Sequence, residues 1–473
     1  MIDKIIALEK TARQLEPSQV ERKTIWEQGM TYIEDFIETL PLKKAYQAAD
    51  CPQLSNLVIT EEAKPFEQLL AIVREEVDHA GINSASGGHL GYIPGGALWA
   101  SAIGDLLVAA TNRYAGIFFS CPGAVIMENQ LIRWLCSLVG FPATAHGNLS
   151  SGGSIASLIA ITTARDQHGI QAEKVRSAVI YFTQQMHHCL HKALHITGLG
   201  EAVFRIIPMN AQYQMDIYAL ENQLAMDVAA GLRPFMVIAT AGTTDTGAMD
   251  ELDAIASICE QYQAWFHVDA AYGGFFILVD ELKEKFKGIE RADSLVMDPH
   301  KGLFLPFGTG VALIKDGQAL LAAHAHQAAY MVDAYGFEEI NPADCGPELT
   351  KHFRGLRMWL PLHLHGLSVF RDCLAEKLLL CRYFHERIQE MGFETGPYPA
   401  LSITLFRYPA EEVNAFNQRL LAALHRDGRF FFSSTLINGE VWIRCAVLNF
   451  RTHLQEIRLA LEMIGEHLVV VSG

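Results

Sequence analysis

The sequence carries no CxxC pair, no surplus of positive charge, no long apolar run and no dinucleotide-type glycine fingerprint, and each absence removes a class of function. Nine cysteines spread over 473 residues without paired spacing fit neither a disulfide scaffold nor a zinc ribbon, and they read as reduced thiols in a cytoplasmic protein. With 37 Lys and Arg against 53 Asp and Glu, a formal net charge of −16 opposes approach to nucleic-acid phosphates or an anionic membrane. The least charged stretches, near 86–104 and 142–164, are broken by Gly, Pro and hydroxyl residues, so no membrane span is expected. Residues 1–10 alternate charged and apolar side chains without a basic segment ahead of an apolar one, so no signal peptide is expected. Gly198-Leu199-Gly200 lacks the third glycine of a dinucleotide loop. What remains is a globular chain, half hydrophobic, whose ligand is a small molecule.

Three stretches differ in pattern. Residues 1–85 are helical and charged, with Ser18 and Glu21 spaced as a capping box and Trp26, Met30, Ile33, Ile37 and Leu40 forming one apolar stripe. That stripe packs either on its own body or on a second subunit. From 86 to 370, short apolar runs at 178–182, 203–208, 235–240, 264–269, 294–297 and 310–314 alternate with helical segments near 124–139, 154–169, 187–197, 217–230 and 250–262, the last started by Asp250 as N-cap. This alternation predicts a mostly parallel sheet covered on both faces, with ligands at the carboxyl ends of its strands. Residues 371–473 predict a smaller α/β unit with a hairpin turned at Asn438-Gly439 and a closing helix near 452–468; 350–391 can be read as one long helical connection.

Two strand ends carry chemistry. His267-Val268-Asp269-Ala270-Ala271 ends an apolar run in an acid, and burying that acid is costly unless a cation or hydrogen bonds meet it. Asp298-Pro299-His300-Lys301-Gly302 follows the next run. Alone, Asp269 reads equally as a turn cap and Lys301 as a solvated charge. Together they suit pyridoxal 5'-phosphate, which needs a lysine amine for a Schiff base, a carboxylate to keep its ring nitrogen protonated, and amide donors for its phosphate. Ser151-Gly152-Gly153-Ser154 ahead of a helix offers those amides, and Gly242-Thr243-Thr244 supplies another small, hydroxyl-rich strand-end loop. His187, His191 and His195 share one helical face, but no carboxylate or cysteine completes a metal site beside them, so no metal is assigned. His187 more simply lies over a ring at the sheet edge.

In that order, Pro122 and 128–134, the Ser-Gly-Gly-Ser turn, His187, Gly242-Thr243-Thr244, His267 to Ala271 and Pro299-His300-Lys301 resemble the group II pyridoxal-phosphate-dependent amino-acid decarboxylases, the family of aromatic-L-amino-acid, histidine and animal-type glutamate decarboxylases. The resemblance implies fold type I, the aspartate-aminotransferase-like α/β architecture, working as a homodimer with shared active sites. It implies Lys301 as the Schiff-base lysine, Asp269 as the pyridinium partner, His187 on one ring face and Ala271 on the other. Gly153 and Ser154 would bind phosphate, Thr244 the ring substituents or Asp269, and His300 the phosphate side of the lysine. Asp298 replaces the Asn of aromatic-specific members and Gly302 replaces their Trp.

The implied reaction is decarboxylation of an aromatic or otherwise bulky L-amino acid, through an external aldimine, to the amine and CO2. A loop tyrosine protonates Cα in that family; Tyr335 is chosen here, with Tyr330 beside it. Gly95 and Gly96 either leave room for a bulky side chain or allow a tight turn, and Arg354 and Arg357 are candidates to meet an acidic substrate. The rival readings are an aminotransferase or lyase on the same scaffold and, from another class, a non-catalytic ligand- or metal-binding protein that keeps the fold.

Overall fold

The computed structural model describes residues 1–48, 54–326 and 339–472. Its strands are β1 (Tyr46–Gln47), β2 (Gly81–Ile82), β3 (His146–Ser150), β4 (Ala178–Thr183), β5 (Val203–Ile207), β6 (Arg233–Thr240), β7 (Trp265–Asp269), β8 (Ser294–Met297), β9 (Gly310–Ile314), β10 (Glu394–Thr395), β11 (Ile403–Arg407), β12 (Ser433–Ile437) and β13 (Glu440–Ala446). Seven of them form the central sheet in the order β3-β9-β8-β7-β6-β4-β5. Every neighbouring pair is parallel except those made by β9, which runs against both β3 and β8.

The interior strands read as continuous apolar runs because both of their faces are covered; all six residues of β4 and all five of β7 are buried. Edge strand β5 alternates instead, with Ile206 turned outward. One apolar cluster below the sheet joins it to the helix 122–138 and to Phe370 and Leu374, while a second above it takes in the helix 153–167 and the helix 188–196. The C-terminal region folds on a four-stranded antiparallel sheet, β10-β11-β13-β12. Its hairpin turns at Asn438 and Gly439, both at positive φ as a two-residue turn requires.

The structure departs from the sequence reading in four places. Strand β3 was not foreseen, because His-Gly-Asn-Leu-Ser has none of the β-branched residues that mark a strand. Asp250 does not cap its helix: Glu251 holds that position, and Asp250 instead accepts hydrogen bonds from the N–H groups of Met215 and Thr240, both at 2.7 Å. The segment 350–391 is two helices, 354–365 and 367–390, separated at Gly366 with φ of 74°. Gly95 and Gly96 serve close approach rather than a roomy pocket. A Cβ on Gly95 would run into the His300 carbonyl oxygen, and Gly96 has φ of 94° against the Asn449 side chain.

The N-terminal helices 2–12 and 19–39 bury no residue. Ser18 and Glu21 form the expected capping box. Of the stripe, Trp26 and Ile33 are exposed and Leu40 is buried.

Candidate active site

The pocket opens where the parallel strands end, since that is where each βα turn frees backbone groups and side chains at one edge. It encloses about 340 Å³, and Gly153, Ser154, His187, Thr244, Asp269, Ala271, His300 and Lys301 all line it. Tyr330 and Tyr335 lie outside the described residues.

Asp269 ends β7 and Asp298 follows β8, its parallel neighbour, so the two acids project from adjacent strand ends. Ala271 links them: its N–H donates to Asp269 Oδ1 at 3.0 Å and its carbonyl accepts from the Asp298 N–H at 3.1 Å. Burial pushes the Asp269 carboxyl up; the Ala271 N–H and the Lys301 charge pull it back only in part. A buried carboxylate in that state favours a cationic partner, which a protonated ring nitrogen supplies.

Lys301 sits in the single helical turn Pro299–Gly302, where Pro299 presets the backbone at the first position. Its Nζ is 3.0 Å from Asp298 Oδ2. Burial works to lower the amine, but the Asp298 and Asp269 carboxylates outweigh it and hold the ammonium above its ordinary range. His300 donates Nδ1–H to the Thr309 carbonyl at 2.5 Å, which leaves Nε2 facing Asp298.

His187 is the N-cap of the helix 188–196 rather than its first residue; its Nδ1 accepts the Cys189 N–H at 3.3 Å, so the ring proton lies on Nε2. Burial, aided by the Lys301 charge, lowers it to about 4, and the ring is neutral at physiological pH. His191 turns away from the pocket to pack edge-on against Phe182 and Phe204.

The turn from β3 into the helix 153–167 runs through Gly152, whose φ of 152° is one that side-chain-bearing residues rarely adopt. It leaves the first backbone N–H groups of a helix at the pocket wall, a donor set that suits a phosphate. Within the loop that carries the lining residues Gly242 and Thr244, the buried Thr243 and Thr246 share a hydrogen bond of 2.8 Å, and Thr246 donates to the lining residue Gln185 at 2.7 Å. Arg444, buried on β13, donates to the Thr244 and Asp245 carbonyls and so ties this loop to the C-terminal sheet. The anion cradle, neutral imidazole, acid and amine together fit pyridoxal phosphate.

Gln185, Ser157 and Cys189 also line the pocket and were not singled out from the sequence. A polar residue just past a buried strand, as Gln185 is after β4, was the available signal. Arg354 and Arg357 are not among the lining residues. Arg354 pairs with Glu348 at 2.9 Å and Arg357 with Asp105 at 2.8 Å.

The chain matches the family model described as pyridoxal-dependent decarboxylase conserved domain over residues 50–407. It is 30% identical over 455 residues to an aromatic-L-amino-acid decarboxylase of Bacillus atrophaeus, spanning 94% of each chain. It is also 30% identical over 375 residues to an L-2,4-diaminobutyrate decarboxylase of Acinetobacter baumannii, spanning 74% of this chain and 73% of that one. The crystal structure of Oryza sativa TDC with PLP and tryptamine is alike in fold, with a TM-score of 0.90 at 23% identity over 97% of this chain and 99% of that chain. The α/β architecture is fold type I.

Proposed function

We propose, from the premise that this chain belongs to the pyridoxal-dependent decarboxylase family, that it converts an aromatic or otherwise bulky L-amino acid to its amine and CO2. That it is a pyridoxal-phosphate-dependent amino-acid decarboxylase follows from the family. The observation that carries the aromatic reading is the 30% identity to an aromatic-L-amino-acid decarboxylase along 94% of both chains.

The pocket supports it by what it offers a side chain. Among the described lining residues there is no arginine for a second carboxylate. A diaminobutyrate side chain would need an acid of its own, and the acids lining the pocket, Asp269 and Asp298, already face the ring site and Lys301.

The cofactor, when bound, supplies a sink for the electron pair left at Cα as CO2 departs. In this reading Gly153 and Ser154 hold the phosphate with backbone and hydroxyl donors, and His300 stands beside it. Asp269 keeps the ring nitrogen protonated, while neutral His187 covers one ring face and Ala271 the other. Thr244 orients the ring edge, and Lys301 is the amine that holds the cofactor and yields its place to the substrate. Tyr335 is the proposed donor of the proton to Cα. The active unit is proposed to be a homodimer with shared sites, its N-terminal helices docked on the partner, in the cytoplasm. Among the described residues no helix is long and apolar enough to cross a membrane.

The test is a panel of aromatic amino acids, glutamate and 2,4-diaminobutyrate assayed for CO2 and amine with pyridoxal phosphate added. Aromatic substrates should turn over best, without consuming a keto acid. Preferred release from diaminobutyrate would overturn the aromatic assignment and leave the family standing.

A further inference from the structure

Asp298 is an N-cap residue that caps nothing. An aspartate at that position ordinarily accepts a hydrogen bond from the first turn of its own helix. Here no such bond forms, and the carboxylate turns to Lys301 Nζ at 3.0 Å. It is 2% exposed at the side chain, and its second oxygen, Oδ1, is buried without a hydrogen-bond partner. Bare backbone encloses it: a Cβ on Gly153 would stand 2.9 Å from Oδ2 and one on Gly310 2.8 Å from Oδ1. Only glycine at those two positions leaves the carboxylate its place beside Lys301.

We propose that Asp298 holds the Lys301 amine as an ammonium whenever that amine is not bonded to the cofactor, and so sets the pH at which the protein captures pyridoxal phosphate. The proposal rests on reading Lys301 as the cofactor-binding amine. Several groups face this pair. Asp269 approaches from the end of β7, His187 from the N-cap and Cys189 from the first turn of the helix 188–196, and His300 from the same turn as Lys301. Burial lowers His187 to about 4 and raises the Cys189 thiol to about 12, so both are uncharged near neutrality, and burial lowers His300 as well. The charges left are those of Asp269 and Asp298, and Asp298 alone among the described residues lies within ion-pair distance of Lys301.

The chemistry gives the consequence. An ammonium has no lone pair, so Lys301 must shed one proton, to Asp298 or solvent, before its nitrogen attacks the aldehyde carbon. As the C–N bond forms, the carbonyl oxygen leaves as water with the two remaining protons. The rate of capture then follows the unprotonated fraction of the amine. An opposite charge within about 4–6 Å shifts a titration by about 1–3 units, so removing the Asp298 charge should speed capture near neutrality about tenfold or more.

The experiment follows the visible absorption of the cofactor as it joins the cofactor-stripped full chain, over a range of pH, for wild type and Asp298→Asn. The expected result is a profile of the same shape displaced to lower pH; superimposed profiles would overturn the proposal. If the variant does not fold, wild type alone decides. Its rate should rise to a midpoint above the ordinary lysine value of about 10.4, and a midpoint at or below that value would be fatal. Hydride fixation and peptide mapping separate the two levels. A label on a residue other than Lys301 removes the underlying reading, whereas a label on Lys301 with an unmoved profile removes only the role of Asp298.

Discussion

Asp269 and Asp298 differ in their tasks because they differ in their partners. Asp298 is matched by an ammonium at 3.0 Å, whereas the buried Asp269 has one backbone N–H and a more distant positive charge. An acid so placed gains most from a cation delivered by a ligand, and by reciprocity it would stabilise a protonated ring nitrogen bound there, which is the role proposed for it. Replacing it with alanine leaves that ring nitrogen without a counter-charge in a dry site. Asp269→Ala should therefore lower kcat/KM on the order of a thousandfold or more, while Lys301→Ala should abolish turnover and the borohydride-fixed adduct together. Steady-state rates and mass spectrometry check both, and near-normal turnover in either variant would refute these roles. Such charged groups were readable in the sequence because an acid ending an apolar run is costly without a reason. The tilt of Asp298 toward Lys301 was not, since a residue's rotamer depends on Gly153 and Gly310, far away in sequence.

Strands and turns fix where those side chains arrive, and Asp250 shows how. Its two oxygens accept the N–H groups of Thr240, at the end of β6, and Met215, in the approach to the helix 217–229. It thereby closes the base of the loop that carries Thr244. Losing the side chain strands two buried donors, at about 1–3 kcal/mol each, so Asp250→Ala should reduce urea stability by about 2–6 kcal/mol. Burial raises this carboxyl to about 6, so the folded chain keeps a proton that the unfolded chain has released. Its contribution is thus full below the ordinary carboxylate range and falls as pH rises through about 6, and Asp250→Asn should remove that slope from a stability-against-pH curve. Sequence periodicity located this helix but misassigned Asp250, because a cap and a long-range acceptor have the same local signature. It found β4 to β9 through their short apolar runs and missed β3, whose strand character comes from pairing with β9 rather than from its own residues.

The chain as a unit leaves too much apolar surface at its N-terminus for the body it carries. The helix 2–12 exposes Ile2, Ile5, Ile6 and Leu8, and the helix 19–39 exposes Trp26 and Ile33. An 11-residue helix is marginal in water without tertiary cover; among the described residues the helix 2–12 buries no side chain, and the helix 19–39 meets the helix 66–76 along one part of its length only. A second copy is the partner that the family resemblance suggests. Two chains of net charge −16 repel at long range, so the contact must be held by apolar burial. Added salt should then screen the repulsion without breaking the dimer. The double variant Trp26→Glu/Ile33→Glu places charge on the stripe without touching any residue that lines the pocket. Sedimentation velocity should show wild type as a dimer and the variant as a folded monomer. If the sites are shared between subunits, decarboxylase activity should fall with the dimer fraction and recover as protein concentration rises. A variant that stays dimeric, or a monomer with full activity at every concentration, would show that the helices serve some other purpose and that each pocket is complete within one chain.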